Sequence, residues 1–70
     1  MKTLRRISVS LTPETAKMVD DLVDRYGNSD AETIRRAITT EAFLKKQVSN
    51  GCKVYVESPT GERTEIVFLG

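Results

Sequence analysis

Between Leu4 and Leu11 apolar and polar side chains alternate, with Ile7, Val9 and Leu11 on one face of an extended chain and Arg6, Ser8 and Ser10 on the other. That period of two predicts a half-buried β-strand. The pattern changes at Thr12-Pro13, where Thr12 suits an N-cap and Pro13 the first helical position, whose N–H would be unpaired in any case. From there Thr15 or Ala16, Val19, Leu22, Val23 and Tyr26 recur at helical spacing, with Asp20, Asp21 and Asp24 on the outer side, and Gly27 supplies a left-handed cap. A second helix opens at Ser29, which forms a capping box with Glu32, and runs to Lys46 or Val48. Its stripe of Ile34, Ala37, Ile38, Leu44 and Val48 is interrupted by Glu41 and Lys45, and Phe43 points nearly opposite. The last turns are therefore expected to meet a different surface.

Residues 52–69 read as a β-hairpin around Ser58-Pro59-Thr60-Gly61, with Pro at the second turn position and Gly in a left-handed one. Polarity selects the register. With Ser58 against Glu62, Val56 faces Thr64, Val54 faces Ile66 and Cys52 faces Phe68 on one face, while Glu57 faces Arg63 and Tyr55 faces Glu65 on the other. A slip of one residue would set Val54 against Glu65 and lose burial without a compensating pair. An isolated hairpin is marginal in water, so its apolar face is expected to pack on Phe43 and Leu44, with Cys52 as a small core residue.

Composition limits what such a chain can do. Seventy residues at 39% hydrophobic lie near the lower limit for a single core. One cysteine and no histidine leave neither an internal disulfide nor the usual zinc ligand set, so oligomerisation is the remaining route to stability. Without histidine there is no Ser-His or Cys-His pair, and the chain is too short to enclose a deep pocket. The expectation is a non-enzyme with no cofactor and no metal. No stretch approaches the roughly 20 apolar residues of a membrane span, and no signal-peptide core is present, so the expectation is a cytoplasmic protein that does not engage membranes. The net charge of +1 is unevenly spread, at +3 for residues 1–12, −2 for 13–27, +1 for 28–50 and −1 for 51–70. A basic arm ahead of an acidic helix can turn one face toward a polyanion.

A lone strand at residues 4–11 would leave backbone N–H and C=O groups unpaired on both edges. Either the hairpin or a second copy of the chain has to pair with it. The run Arg6-Ile7-Ser8-Val9-Ser10-Leu11-Thr12-Pro13-Glu14, a helix ending in Tyr26-Gly27, and then Asn28-Ser29-Asp30-Ala31-Glu32-Thr33-Ile34-Arg35-Arg36-Ala37-Ile38 resemble the ribbon-helix-helix proteins of the Arc, MetJ and CopG type over about residues 4–48. The resemblance implies a mainly α fold with short β, an intertwined homodimer whose strands form an intermolecular two-stranded antiparallel ribbon. Residues 1–48 would be the DNA-binding and dimerisation domain and residues 51–70 a C-terminal hairpin extension.

In that family the ribbon enters the major groove of double-stranded DNA. The resemblance assigns base contacts to Arg6, Ser8 and Ser10. Arg6 can donate two bonds to guanine, whereas the serine hydroxyls discriminate less. Phosphate contacts fall to Ser29, Asp30 and Ala31 at the start of the second helix, with Asp30 standing where related proteins often have a base or a hydroxyl. Lys2 and Arg5 in the basic arm are further phosphate candidates. A two-fold protein reads two related half-sites, and dimers can assemble to higher order on DNA. The implied function is a transcriptional repressor. The alternatives are an antitoxin, which also binds a toxin and could use the hairpin as its partner surface, and a plasmid partition or relaxosome accessory protein.

Overall fold

The computed structural model describes residues 4–69. The protein is mainly α with short β, in the order α1 (Pro13–Tyr26), α2 (Asp30–Ser49), β1 (Val54–Glu57) and β2 (Arg63–Ile66). The chain divides into two compact units, Met1–Thr33 and Ile34–Gly70.

In the first unit, residues 4–11 carry no regular secondary structure. The strand read from their alternation is thus absent from the single chain, because a strand is completed by its ladder and the sheet among the described residues contains β1 and β2 alone. α1 begins as expected. Thr12 is extended, its Oγ1 accepts a hydrogen bond from the Thr15 N–H at 3.2 Å, and its carbonyl receives the Ala16 N–H at 2.8 Å. At the other end Gly27 adopts φ 73° and donates its N–H to the Val23 carbonyl at 2.8 Å, the left-handed closure that a side chain would strain. Ala16, Val19 and Val23 are half-buried along one side of the helix, whereas Asp20, Asp21 and Asp24 are exposed. α2 is opened by Ser29, whose Oγ accepts from the Glu32 N–H at 3.1 Å while its carbonyl takes the Thr33 N–H at 2.9 Å. Thr33 is buried, and its Oγ1 has no hydrogen-bond partner.

In the second unit α2 continues to Ser49, slightly past the expected end. The exit is closed by Asn50 N–H on the Lys46 carbonyl at 3.1 Å, Gly51 N–H on Val48 at 3.0 Å and Cys52 N–H on Gln47 at 2.9 Å. Gly51 stands at φ 90°. The hairpin has the register that polarity selects: Val54 opposite Ile66, Tyr55 opposite Glu65, Val56 opposite Thr64 and Glu57 opposite Arg63. Ser58 ties the turn, donating its N–H to the Glu62 carbonyl at 2.7 Å and accepting the Glu62 N–H on Oγ at 3.0 Å. Arg63 Nε meets Glu57 Oε1 across the strands at 3.0 Å.

Two expectations about this unit are corrected. α2 and the hairpin share no packed interface, and Phe43, expected to receive the apolar strand face, is 59% exposed. Cys52 is exposed with its Sγ 3.7 Å from Gln47 Oε1 and is not a core residue, because the paired strands stop at Val54 and Ile66 and do not extend to Cys52 and Phe68. Among the described residues no hydrophobic side chain is buried.

Candidate nucleic-acid interface

The base-reading candidates Arg6, Ser8 and Ser10 lie exposed in the segment leading into α1, as does Arg5. Lys2 lies outside the described residues. The apolar members of the same alternation are exposed as well, Ile7 at 67%, Val9 at 72% and Leu11 at 41%. In the single chain the period of two therefore does not resolve into an inner and an outer face. Thr12, through its cap on the Thr15 N–H, marks where regular structure begins.

The second set, Ser29, Asp30 and Ala31, sits at the start of α2. The first N–H groups of a helix have no partner within it. Here the caps of Ser29 engage Glu32 and Thr33, which leaves the N–H groups of Asp30 and Ala31 as the donors to which an anion has access. Asp30 and Glu32 both stand in this first turn. Their carboxylates complement the helix dipole and oppose a phosphate at the same end, so the N–H donors and the local charge work against each other.

α1 carries one exposed apolar feature that the periodicity of Val19, Leu22, Val23 and Tyr26 did not include. Met18 stands one turn before Leu22 and two before Tyr26, and with Asp21 and Arg25 these residues line an open groove along the helix. The i, i+4, i+8 spacing of Met18, Leu22 and Tyr26 was the signal for it. Among the described residues no group of three or more potential metal-ligating side chains comes together, and no helix is long and apolar enough to cross a membrane.

Comparison of the chain with protein-family models, with curated proteins and with solved structures yields no match.

Proposed function

We propose that the protein is a homodimeric, sequence-specific double-stranded-DNA-binding protein of the ribbon-helix-helix kind that acts as a transcriptional repressor. The observation that carries this reading is the segment from Leu4 to Leu11, an alternating strand sequence whose apolar members Ile7 and Val9 stay exposed. Such a segment is satisfied by antiparallel pairing with its own copy, which gives each backbone group a partner and each apolar side chain a buried face. Arg6, Ser8 and Ser10 then line the opposite face of a two-stranded ribbon whose width suits the major groove. Arg6 carries most of the discrimination. Lys2 and Arg5 act on phosphates, together with the free N–H groups of Asp30 and Ala31.

Selection of bound duplexes from a random pool tests the reading, combined with the mass of the complex. The expected result is an enriched site with two related halves and two chains per site. Arg6→Ala should abolish the enrichment while leaving the mass of the free protein unchanged. A monomer with no enriched sequence, or undiminished selection by Arg6→Ala, refutes the assignment.

A further inference from the structure

The hairpin has a second edge that fits a copy of itself. Backbone groups in an antiparallel pair alternate between bonding across the ladder and pointing away from it. The Ser58 N–H bonds the Glu62 carbonyl at 2.7 Å, which fixes the phase of that alternation: Val56 and Val54 bond inward to Thr64 and Ile66, and Tyr55 and Glu57 direct their N–H and C=O groups outward. Lys53, one residue before β1, continues the outward series. The outward backbone groups therefore belong to the same residues, Lys53, Tyr55 and Glu57, that form the polar face of Lys53-Val54-Tyr55-Val56-Glu57.

That five-residue run is its own complement when reversed. We infer that the free edge of β1 pairs antiparallel with β1 of a second copy, centred on Tyr55, so that two hairpins join into one continuous sheet with β1 strands at its middle. In this register Tyr55 exchanges both backbone bonds with Tyr55 of the partner subunit, Lys53 lies opposite the partner's Glu57, and Val54 lies opposite the partner's Val56. Opposite charges and aromatic pairs facing each other stabilise a sheet, and like charges destabilise it. Parallel pairing of the same strands would set Lys53 against Lys53 of the partner subunit and Glu57 against Glu57 of the partner subunit. Charge thus selects the antiparallel arrangement, and it also distinguishes this edge from the other one. Pairing of β2 centred on Glu65 would oppose Glu65 to itself. Shifting the centre to Thr64 matches Arg63 with the partner's Glu65 but sets Glu62 against the partner's Ile66 on the apolar face. Arg63 meets Glu57 within its own hairpin through Oε1, which leaves Glu57 Oε2 to accept from the partner's Lys53, and Lys53 has no ion pair among the described residues. The inference concerns the hairpin alone and holds whether or not residues 4–11 bind DNA.

Two measurements on the full chain test it. In the unaltered protein the Tyr55 amide should exchange with solvent at least tenfold more slowly than an unstructured amide, although its N–H points away from its own hairpin. Free exchange at Tyr55 while Val56 is protected refutes the pairing. Tyr55→Cys in a Cys52→Ser background should form a disulfide-linked dimer on mild oxidation, since residues opposed in a bonded pair have Cα atoms about 5.5 Å apart, within disulfide reach. Val67→Cys in the same background, one residue past β2 on the opposite edge of the hairpin, should cross-link at least tenfold more slowly. Adding Lys53→Glu to Tyr55→Cys should suppress the cross-link, and Lys53→Glu, Glu57→Lys and Arg63→Glu together should restore it while keeping the pair within each hairpin. Equal cross-linking at positions 55 and 67 refutes the inference. So does a protected Tyr55 amide without the 55–55 cross-link, which would mean that another segment, such as residues 4–11, occupies the edge.

Discussion

Replacing Ile7 with serine separates a paired segment from a solvated one. Ile7 is 67% and Val9 72% exposed in the single chain. Full burial of such a side chain is worth about 1.5–3 kcal/mol, so covering the exposed two-thirds yields about 1–2 kcal/mol at each position. A symmetric ribbon contains Ile7 twice, and Ile7→Ser should therefore weaken the dimer by about 2–4 kcal/mol, a rise of about 30- to 900-fold in its dissociation constant. If residues 4–11 remain unpaired, the same change lies at an exposed site and should stay within about 0.5 kcal/mol. Sedimentation equilibrium over a dilution series reads the dissociation constant directly, and the dependence of the urea midpoint on protein concentration provides a second reading. Ser8→Ala, at an outward position of the same segment, is the control and should leave the dimer unchanged. A dissociation constant that does not move in Ile7→Ser, or that moves equally in Ser8→Ala, refutes burial of the Ile7 face.

Two further outcomes concern the caps that shape each unit. Gly27 stands at φ 73° with nothing within 4 Å of where a methyl group would sit, so Gly27→Ala should cost about 1–2 kcal/mol through backbone strain alone; Gly27→Asn should recover much of it, as measured by urea unfolding at one fixed protein concentration. Ser58→Ala removes the acceptor of the Glu62 N–H at 3.0 Å and should cost the hairpin about 0.5–1.5 kcal/mol, visible as faster amide exchange at Val54 and Val56 with α1 amides unaffected.

What the sequence disclosed correctly was local. Thr12-Pro13 and Gly27 bound α1, and Ser29 opens α2, because a cap is made by residues within one turn of the groups it satisfies. The hairpin register was legible for a related reason, since Ser58, Gly61 and the alternation on both sides of them leave one register with an apolar face. The expectations that failed were those that needed a distant surface. Phe43 and Leu44 were matched to the hairpin by polarity alone, and polarity does not say whether two apolar faces of one chain meet each other or meet another chain. Cys52 was assigned to a core by extending the strand alternation two residues beyond the last ladder pair. For the candidate site, the spacing put Arg6, Ser8 and Ser10 on one side of an extended segment, but the described residues include no surface that covers the other side. The burial of Thr33 was not among the expectations, because Thr33, four residues before Ala37, falls on the apolar side of α2 without being apolar itself.

The absence of any buried hydrophobic side chain among the described residues bears on what stability means for this protein. α1 has 14 residues, a length at which an isolated helix is marginal in water and depends on covering its apolar face. The side of α1 that carries Ala16, Val19 and Val23 is only half-covered, and Met18, Leu22 and Tyr26 beside it remain open. A sheet of two four-residue strands is likewise marginal by itself. Elements of this kind are held by the surface that covers them. Where that surface belongs to a second copy, folding and association form one transition, and its midpoint moves with protomer concentration. The net charge of +1 suits such a chain, since two copies brought together add little repulsion.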